Sequence, residues 1–179
     1  GISVMQCKKA LEEAGGDMEK AVIILKKRRS EAADKKADRE LGAGTIGSYI
    51  HNTNEVAALV ILASETDFVS KNEEFVILAR EIAMQVAATN PTYISRAEVP
   101  EEIIEKAKAV FLPELEGKPE EMKEKIMEGK LASFFKEQIL LEQPFIKNPD
   151  TTIGEMVKGA VQKFGENVSV VKISRLAVK

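Results

Sequence analysis

The sequence predicts an α+β fold, because strand patterns and helix patterns occupy separate segments of the chain. The first strand pattern begins at Thr45 and leads through a polar turn at 52–55 into the apolar run Val56–Ala63. Its β-branched residues favour an antiparallel hairpin over a buried helix, with a central second strand buried on both faces. A last strand is predicted at Val168–Val178, and helices are predicted between the two strand regions.

Two short helices are predicted ahead of the hairpin. The first covers residues 4–14 and ends at Gly15-Gly16, and the second begins at the N-cap Asp17 and continues to about Arg29. Two such helices can scarcely form a core alone, so we expect either a missing preceding helix or docking of the pair on the rest of the chain. Cys7 lies on the apolar face of the first helix and is predicted to be a small core residue.

A charged segment follows the helix pair. Residues 26–40 are nearly free of large apolar side chains, and acidic residues interleave with basic ones. This pattern is typical of a solvated helical linker, whereas a nucleic-acid-binding stripe needs an excess of basic residues. The sequence therefore predicts a helical module at 1–30, a charged helical linker at 31–44 and an α+β core domain at 45–179.

Capping signals predict the helices of the core. The first spans residues 71–89, with Ser70 as its cap and Glu73 completing a capping box. Thr152 opens the last helix with a second capping box, and Gly165 ends it. Two further helices are predicted to start at Pro100 and Lys118, a separate one at Leu131–Leu141, and a loop at Asn148–Asp150.

The composition limits the chemistry that the chain can perform. The formal net charge of −3 argues against broad electrostatic binding to nucleic acid. With one cysteine, Cys7, and one histidine, His51, an internal disulfide and a multi-histidine metal site are excluded. No apolar run approaches the roughly 18 residues of a membrane span, and no signal-peptide pattern is present. We therefore expect neither membrane insertion nor direct nucleic-acid binding.

Two local patterns suggest chemistry that their context does not support. Gly42, Gly44 and Gly47 have the spacing of a dinucleotide-binding loop, but a charged helix precedes them and a strand follows. Pyrophosphate binding needs the reverse order, so we interpret these glycines as a flexible entry into a strand. His51, at the hairpin turn, is interpreted as a surface residue, with a partner contact as the alternative.

The most informative segment is Glu65–Asn72, which lies between a buried strand and a capped helix. Phe68 therefore sits on a short turn that is held at both ends. Its side chain can fold back as a hydrophobic staple, or it can project outward beside the carboxylate of Asp67. A projecting aromatic on a rigid turn would be a good anchor, because little conformational entropy is lost on docking. Spacing alone does not choose between the two orientations.

Several segments resemble one known family. SETDFVSKNEEF at 64–75 resembles the central signature of the elongation factor Ts family, and VMQCKKALEEAGGD at 4–17 resembles its N-terminal signature. The chain departs from the family's usual pattern at Ile61-Leu62-Ala63, where Glu-x-Asn is usual, and at Phe164, where an aliphatic residue is usual. The resemblance covers essentially the whole chain and is to the short form with a single core subdomain. Further matching segments, in order, are GSYIH at 47–51, GKPEEMKEKIMEGKL at 117–131, LLEQPF at 140–145 and GEN at 165–167.

The resemblance implies a guanine-nucleotide exchange factor that binds the G domain of elongation factor Tu and releases GDP without covalent chemistry. It implies a ubiquitin-associated-like module at 1–30, its first helix mostly absent, and a core in which helices pack on a three-stranded antiparallel sheet. No cofactor is implied, since Mg²⁺ and GDP belong to the partner. It also suggests a homodimer formed through the core, and a location in the bacterial cytoplasm or an organelle matrix.

The resemblance also assigns contact residues. Asp67 and Phe68 fall on a turn that enters the G domain near its Mg²⁺ site, and Phe164 and Gly165 fall on a second intruding turn. The implied partner-binding residues are Thr66, Asp67, Phe68, Val69, His51, Phe164, Gly165, Val4 and Met5.

Two other functions remain open from the residues themselves. One is an adaptor that binds a helix or a ubiquitin-like partner through residues 1–30. The other is a small enzyme that uses His51. Deletion of the first module and neutral substitution of the histidine would distinguish them from an exchange factor.

Overall fold

The computed structural model describes residues 3–115, 117 and 119–178, and it shows helices packed on a three-stranded antiparallel sheet. The predicted α+β class is therefore confirmed. The helices are α1 (Val4–Glu13), α2 (Met18–Asp34), α3 (Asp67–Ser70), α4 (Glu73–Thr89), α5 (Glu101–Phe111), α6 (Glu120–Lys136) and α7 (Ile153–Phe164), with 3-10 turns at Arg96–Glu98, Leu112–Leu115 and Leu140–Glu142. The strands are β1 (Ala43–Ile50), β2 (Val56–Ser64), β3 (Pro144–Phe145), β4 (Asn148–Thr152) and β5 (Val168–Ala177).

The helix pair α1–α2 forms at the predicted capping residues. The Asp17 side chain accepts a hydrogen bond from the amide of Lys20, and Ala10 and Ala21 are the buried residues of the pair. The pair docks on α7, where the Arg29 guanidinium donates to Gln162. The core assignment of Cys7 is wrong, because that side of α1 stays uncovered and the thiol is exposed.

The segment between the helix pair and the sheet is only partly helical. Helix α2 continues past its predicted end to Asp34, after which residues 35–38 form turns and the chain extends into β1. The predicted helical linker at 31–44 is therefore wrong beyond Asp34.

Strand β2 lies at the centre of the sheet, in the order β1-β2-β5. The prediction that it is buried on both faces is wrong, since Leu59 and Ile61 are exposed. Helix α4 covers only the other face, and it approaches β1 closely at Gly47. A Cβ at Gly47 would lie 2.2 Å from the backbone of Ala79, so this glycine permits close packing of helix on strand. Our interpretation of the glycines as a flexible entry missed that role.

Three local predictions in the core need correction. Helix α4 is capped by Asn72, whose side chain accepts from the Glu74 amide, whereas Ser70 ends the one-turn helix α3. The helices predicted from Lys118, which itself lies outside the described residues, and from Leu131 are one helix, α6. Helix α6 continues through Gly129 without a break. Residues Asn148–Thr152 form β4, paired with β3, in place of a loop.

The main core lies between the sheet, α4 and α7. It includes the fully buried side chains of Leu62, Phe75, Ile82 and Ile153. The capping box of Thr152 and the left-handed Gly165 define the two ends of α7 as predicted. Leu62, near the end of β2, and Val161, near the end of α7, both belong to this core. The turns that follow β2 and α7 therefore start from the same core.

Candidate partner-binding surface

Phe68 projects outward from the segment that joins β2 to α4, residues 65–72, which we call the Phe68 turn. Its side chain is 84% exposed, whereas the next two residues, Val69 and Ser70, are buried. The short helix α3 therefore has one face in the core and carries Phe68 on the other. The structure shows the outward orientation and not the hydrophobic staple.

Asp67 lies beside Phe68 at the surface and forms an ion pair within the same turn. The Lys71 ammonium donates to the Asp67 carboxylate at 2.7 Å. That hydrogen bond and the positive charge of Lys71 hold the pKa of Asp67 below its ordinary value. Asp67 is a carboxylate at neutral pH with or without this shift, and its charge lies next to the exposed ring and is paired with Lys71.

The Phe68 turn is joined to the segment before β5, residues 165–167, which we call the GEN turn. The Glu166 carboxylate accepts two hydrogen bonds from Thr66, one from the amide at 3.0 Å and one from the hydroxyl at 2.6 Å. The Thr66 side chain makes no cap to α3, since its hydroxyl is directed to Glu166. The turn is thus held from outside its own helix.

A second carboxylate crosses between the two turns in the opposite direction. The Asn167 amide donates to Glu65 at 2.5 Å, and the Arg39 guanidinium lies 3.3 Å from the same oxygen. These contacts, the Asn167 hydrogen bond first, lower the pKa of Glu65. The Asn167 side chain also donates to the carbonyls of Ala37 and Arg39, so the segment after α2 is bound into the same cluster.

The predicted second intruding turn lies next to the first, but its two residues differ in orientation. Phe164 is half-buried and packs edge-on against Phe75, with ring centroids 5.7 Å apart. Gly165 is exposed and has a left-handed φ of 75°, which suits glycine. The backbone at Gly165, and not the Phe164 ring, is the part of this turn that faces outward.

The remaining predicted contact residues lie in two places, His51 on the hairpin and Val4 and Met5 on α1. His51 is exposed at the other end of the hairpin, about 25 Å distant at roughly 3.4 Å per residue along β1. Its Nδ1 lies 3.3 Å from the Tyr49 hydroxyl. Val4 and Met5 are exposed at the start of α1, where the next residue, Gln6, accepts a hydrogen bond from Gln162 near the end of α7. The structure therefore brings together the residues near 66–69 and 164–165, with the start of α1 beside the end of α7.

The outer face of the sheet is a separate exposed apolar surface. Cross-strand pairs place Ile46 beside Ile61, and they align Ile50, Ala57 and Leu176 in one row. Leu59 lies between these rows and is half exposed. We call this surface the outer sheet face.

Metal and membrane features are missing from the part of the chain that the structure describes. Residues 3–115, 117 and 119–178 contain no group of three or more His, Cys, Asp or Glu side chains arranged to hold a metal ion. Over the same ranges, no helix combines the length and the hydropathy needed to cross a membrane.

Sequence reasoning missed the residues that hold the Phe68 turn in place. Nothing in the local pattern predicts Glu65, Glu166, Asn167 and Arg39 as a cluster, although SET and GEN both fall in motif segments. The available signal is that SET closes one strand pattern and GEN directly precedes another. That signal needs the pairing of β2 with β5 before it can place the two motifs side by side.

Comparison with known proteins assigns the chain to a family. Residues 25–179 match the family model described as Elongation factor TS. An elongation factor Ts of Thermodesulfovibrio yellowstonii is 49% identical over 99% of this chain and 89% of its own length. Those of Carboxydothermus hydrogenoformans and Thermosipho melanesiensis are 48% and 47% identical, over 98% and 99% of this chain and 82% and 92% of their own. The chain therefore belongs to the elongation factor Ts family of translation elongation factors.

Proposed function

We propose that this chain is a guanine-nucleotide exchange factor for elongation factor Tu and that the Phe68 turn enters the partner's G domain near its Mg²⁺ and phosphate site. The observation that carries the proposal is the outward projection of Phe68 from a turn held at both sides. Membership of the elongation factor Ts family supports the partner and the reaction class.

Exchange of this kind makes and breaks no covalent bond. The protein must bind the nucleotide-free partner more tightly than the nucleotide-bound one, and reciprocity then weakens nucleotide binding by the same factor. Burial of the exposed Phe68 ring in a partner pocket supplies on the order of 1.5–3 kcal/mol. Each ~1.4 kcal/mol of that energy realised only in the nucleotide-free complex corresponds to about tenfold in affinity.

The Asp67 carboxylate adds an electrostatic contribution beside the ring. It is ionised at neutral pH because the ordinary pKa of an aspartate lies far below 7, and Lys71 lowers the pKa further. Negative charge placed near the bound Mg²⁺ and phosphates repels the phosphates and competes for the ion. Asp67 and Phe68 therefore act on the same site by different forces.

The other proposed contact residues divide into those that touch the partner and those that support the turn. Val4, Met5, His51 and Gly165 are exposed and are proposed to touch it directly. Thr66 anchors the Phe68 turn through Glu166, and the buried Val69 holds that turn against the core. The half-buried Phe164, packed on Phe75, holds the end of α7 that leads into the GEN turn.

The proposal is tested by Phe68→Ala in an assay of labelled GDP release from elongation factor Tu. We expect stimulated release to fall by at least about tenfold, the affinity equivalent of the lost ring burial. Because Phe68 is exposed, the free energy of unfolding should change by less than about 0.5 kcal/mol. Val110→Ala, an exposed apolar residue on α5, is the matched control and should leave release unchanged. Unchanged release by Phe68→Ala would falsify the proposed role.

We also propose that two copies pair through the outer sheet face. Its aligned rows of Ile46, Ile61, Ile50 and Leu176 offer one apolar patch that can face its own symmetry mate. Leu59→Asp at the centre of the patch should convert a dimer to a monomer in sedimentation equilibrium. Val110→Asp, the same kind of change on α5, should not, and a wild-type monomer at micromolar concentration would exclude the dimer.

A further inference from the structure

The antiparallel ladder between β2 and β5 ends at the pair Ser64 and Val168. The Phe68 turn follows Ser64 and the GEN turn precedes Val168. The backbones of these two turns no longer form hydrogen bonds with each other directly. The amides of Thr66 and Asn167 nevertheless have partners, which are the side-chain carboxylates of Glu166 and Glu65. Each carboxylate takes the place of a backbone carbonyl of the opposite strand, so the pairing continues through side chains.

We infer that Glu166, supported by the reciprocal Glu65–Asn167 contact, is the positioning residue that sets the direction in which Phe68 projects. This inference rests on the proposed function. Glu166 binds both the amide and the hydroxyl of Thr66, which is two residues before Phe68 and directly precedes α3. Two hydrogen bonds to one carboxylate define an orientation, whereas one bond would leave rotation free.

The contacts that the Phe68 turn makes with the core do not restrain the amide and hydroxyl of Thr66, so the hydrogen bonds from Glu166 are needed. Helix α3 has only four residues and no side-chain cap at Thr66, so it holds little order of its own. Val69 and Ser70 bury one side of it, and the buried Ser64 hydroxyl donates to the Thr66 carbonyl at 2.9 Å. The Thr66 amide and hydroxyl are restrained by Glu166 of the GEN turn. Loss of that restraint spreads the Phe68 ring over more directions and lowers the fraction competent to enter a partner pocket.

Glu166 acts through Phe68 in this scheme and does not need to touch the partner. A double-mutant cycle measures that dependence directly. We expect Glu166→Ala to lower stimulated GDP release from elongation factor Tu about tenfold, equivalent to about 1.4 kcal/mol. In the Phe68→Ala background the same substitution should produce no further loss. Glu166→Gln, which retains one accepting oxygen, should lie between wild type and Glu166→Ala.

A stability control separates positioning from general weakening of the fold. Thr152→Ala removes the capping box of α7 and should lower the urea midpoint of unfolding about as much as Glu166→Ala does. It lies at the end of α7 remote from the GEN turn and should leave GDP release unchanged. An additive loss in the Phe68→Ala background would overturn the inference, since Glu166 would then act on the partner by itself.

A measurement on the free protein keeps the inference separate from the proposed function. Glu166→Ala should accelerate hydrogen exchange of the Thr66 amide by about tenfold, since that amide loses its acceptor. Amides of α4 should be unaffected. If exchange at Thr66 is unchanged, the positioning role fails whatever Phe68 does. If it accelerates while Phe68→Ala has no effect on GDP release, the proposed function fails. The contacts of Glu166 with Thr66 and of Glu65 with Asn167, which we call the clamp, then remain a feature of the fold.

Discussion

The Phe68 turn and the helix pair α1–α2 both expose apolar side chains, but they are attached to the core in different ways. The turn has buried residues on its inner side and carboxylate clamps on its flank, with contacts of 2.5–3.0 Å from Glu65 and Glu166. The helix pair buries two alanines, Ala10 and Ala21. Its attachment to α7 is through polar pairs such as Lys26 with Glu155 at 2.9 Å, and Ala33, near the end of α2, packs on the main core.

This difference separates two tasks in the proposed mechanism. Surface ion pairs contribute about 1 kcal/mol at most, so the helix pair is able to adjust when it docks. The Phe68 turn cannot adjust without breaking its clamps. A helix pair that can adjust its position suits binding of the partner. A rigid Phe68 turn suits distortion of a nucleotide site, because a group that distorts its partner has to keep its own conformation.

The largest expected effect is on the core that supports the Phe68 turn and comes from Gly47→Ala, in β1. A methyl group at Gly47 would lie 2.2 Å from the Ala79 backbone, so α4 and β1 must separate. We expect a loss of more than about 3 kcal/mol in the free energy of unfolding, measured by urea denaturation. Gly129→Ala, where a Cβ meets open space within α6, should instead stabilise by up to about 1 kcal/mol. Similar stabilities for the two variants would contradict the close packing.

An intermediate effect is expected from the compliant region. Val4→Asp combined with Met5→Asp places acids in the first turn of α1, where the helix dipole tolerates them, and both positions are exposed. We expect affinity for elongation factor Tu to fall by about tenfold for each of the two apolar side chains that no longer packs on the partner. Maximal GDP release at saturation should be unchanged, in contrast to Phe68→Ala. Complete loss of binding with no residual exchange at any concentration would favour the adaptor alternative.

How much of this contrast the sequence predicts depends on the range of the interactions. The ends of α7 follow from Thr152 and Gly165, whose capping contacts lie within a few residues. Periodicity predicts the strands, but it cannot show that one face of β2 stays open, because VAALVILA is apolar on both faces. Burial depends on what covers each face, and here α4 covers one only.

The clamp at the Phe68 turn could not be predicted from local signals at all. Glu166 and Thr66 are separated by 100 residues, and their contact exists because β5 lies beside β2. Helix α3, with four residues, is too short to show a helical period, so the local pattern favours Ser70 over Asn72 as the cap of the following helix. Spacing also leaves the direction of Phe68 open.

The smallest expected effect comes from the carboxylate of Glu65, which binds the Asn167 amide. The pKa of Glu65 is lowered in the folded protein by the Asn167 amide and by Arg39. A carboxylate of this kind stabilises the fold fully above its ordinary pKa of 4.5, and the contribution is lost as the pH falls through the lower folded value. Glu65→Gln should therefore be less stable than wild type at about pH 7, and the difference should shrink below about pH 4.5.

Urea denaturation of both proteins across that pH range measures the convergence, since all other carboxylates titrate alike in the pair. Asp67→Asn is the matched control, because the pKa of Asp67 is also lowered but its partner Lys71 is an exposed neighbour within the same turn. Its difference from wild type should be smaller, since exposed ion pairs contribute little. A Glu65→Gln difference that stays constant from neutral to acidic pH would show that the charge of Glu65 does not support the clamp, and the distinction between a rigid turn and a compliant helix pair would then rest on buried packing alone.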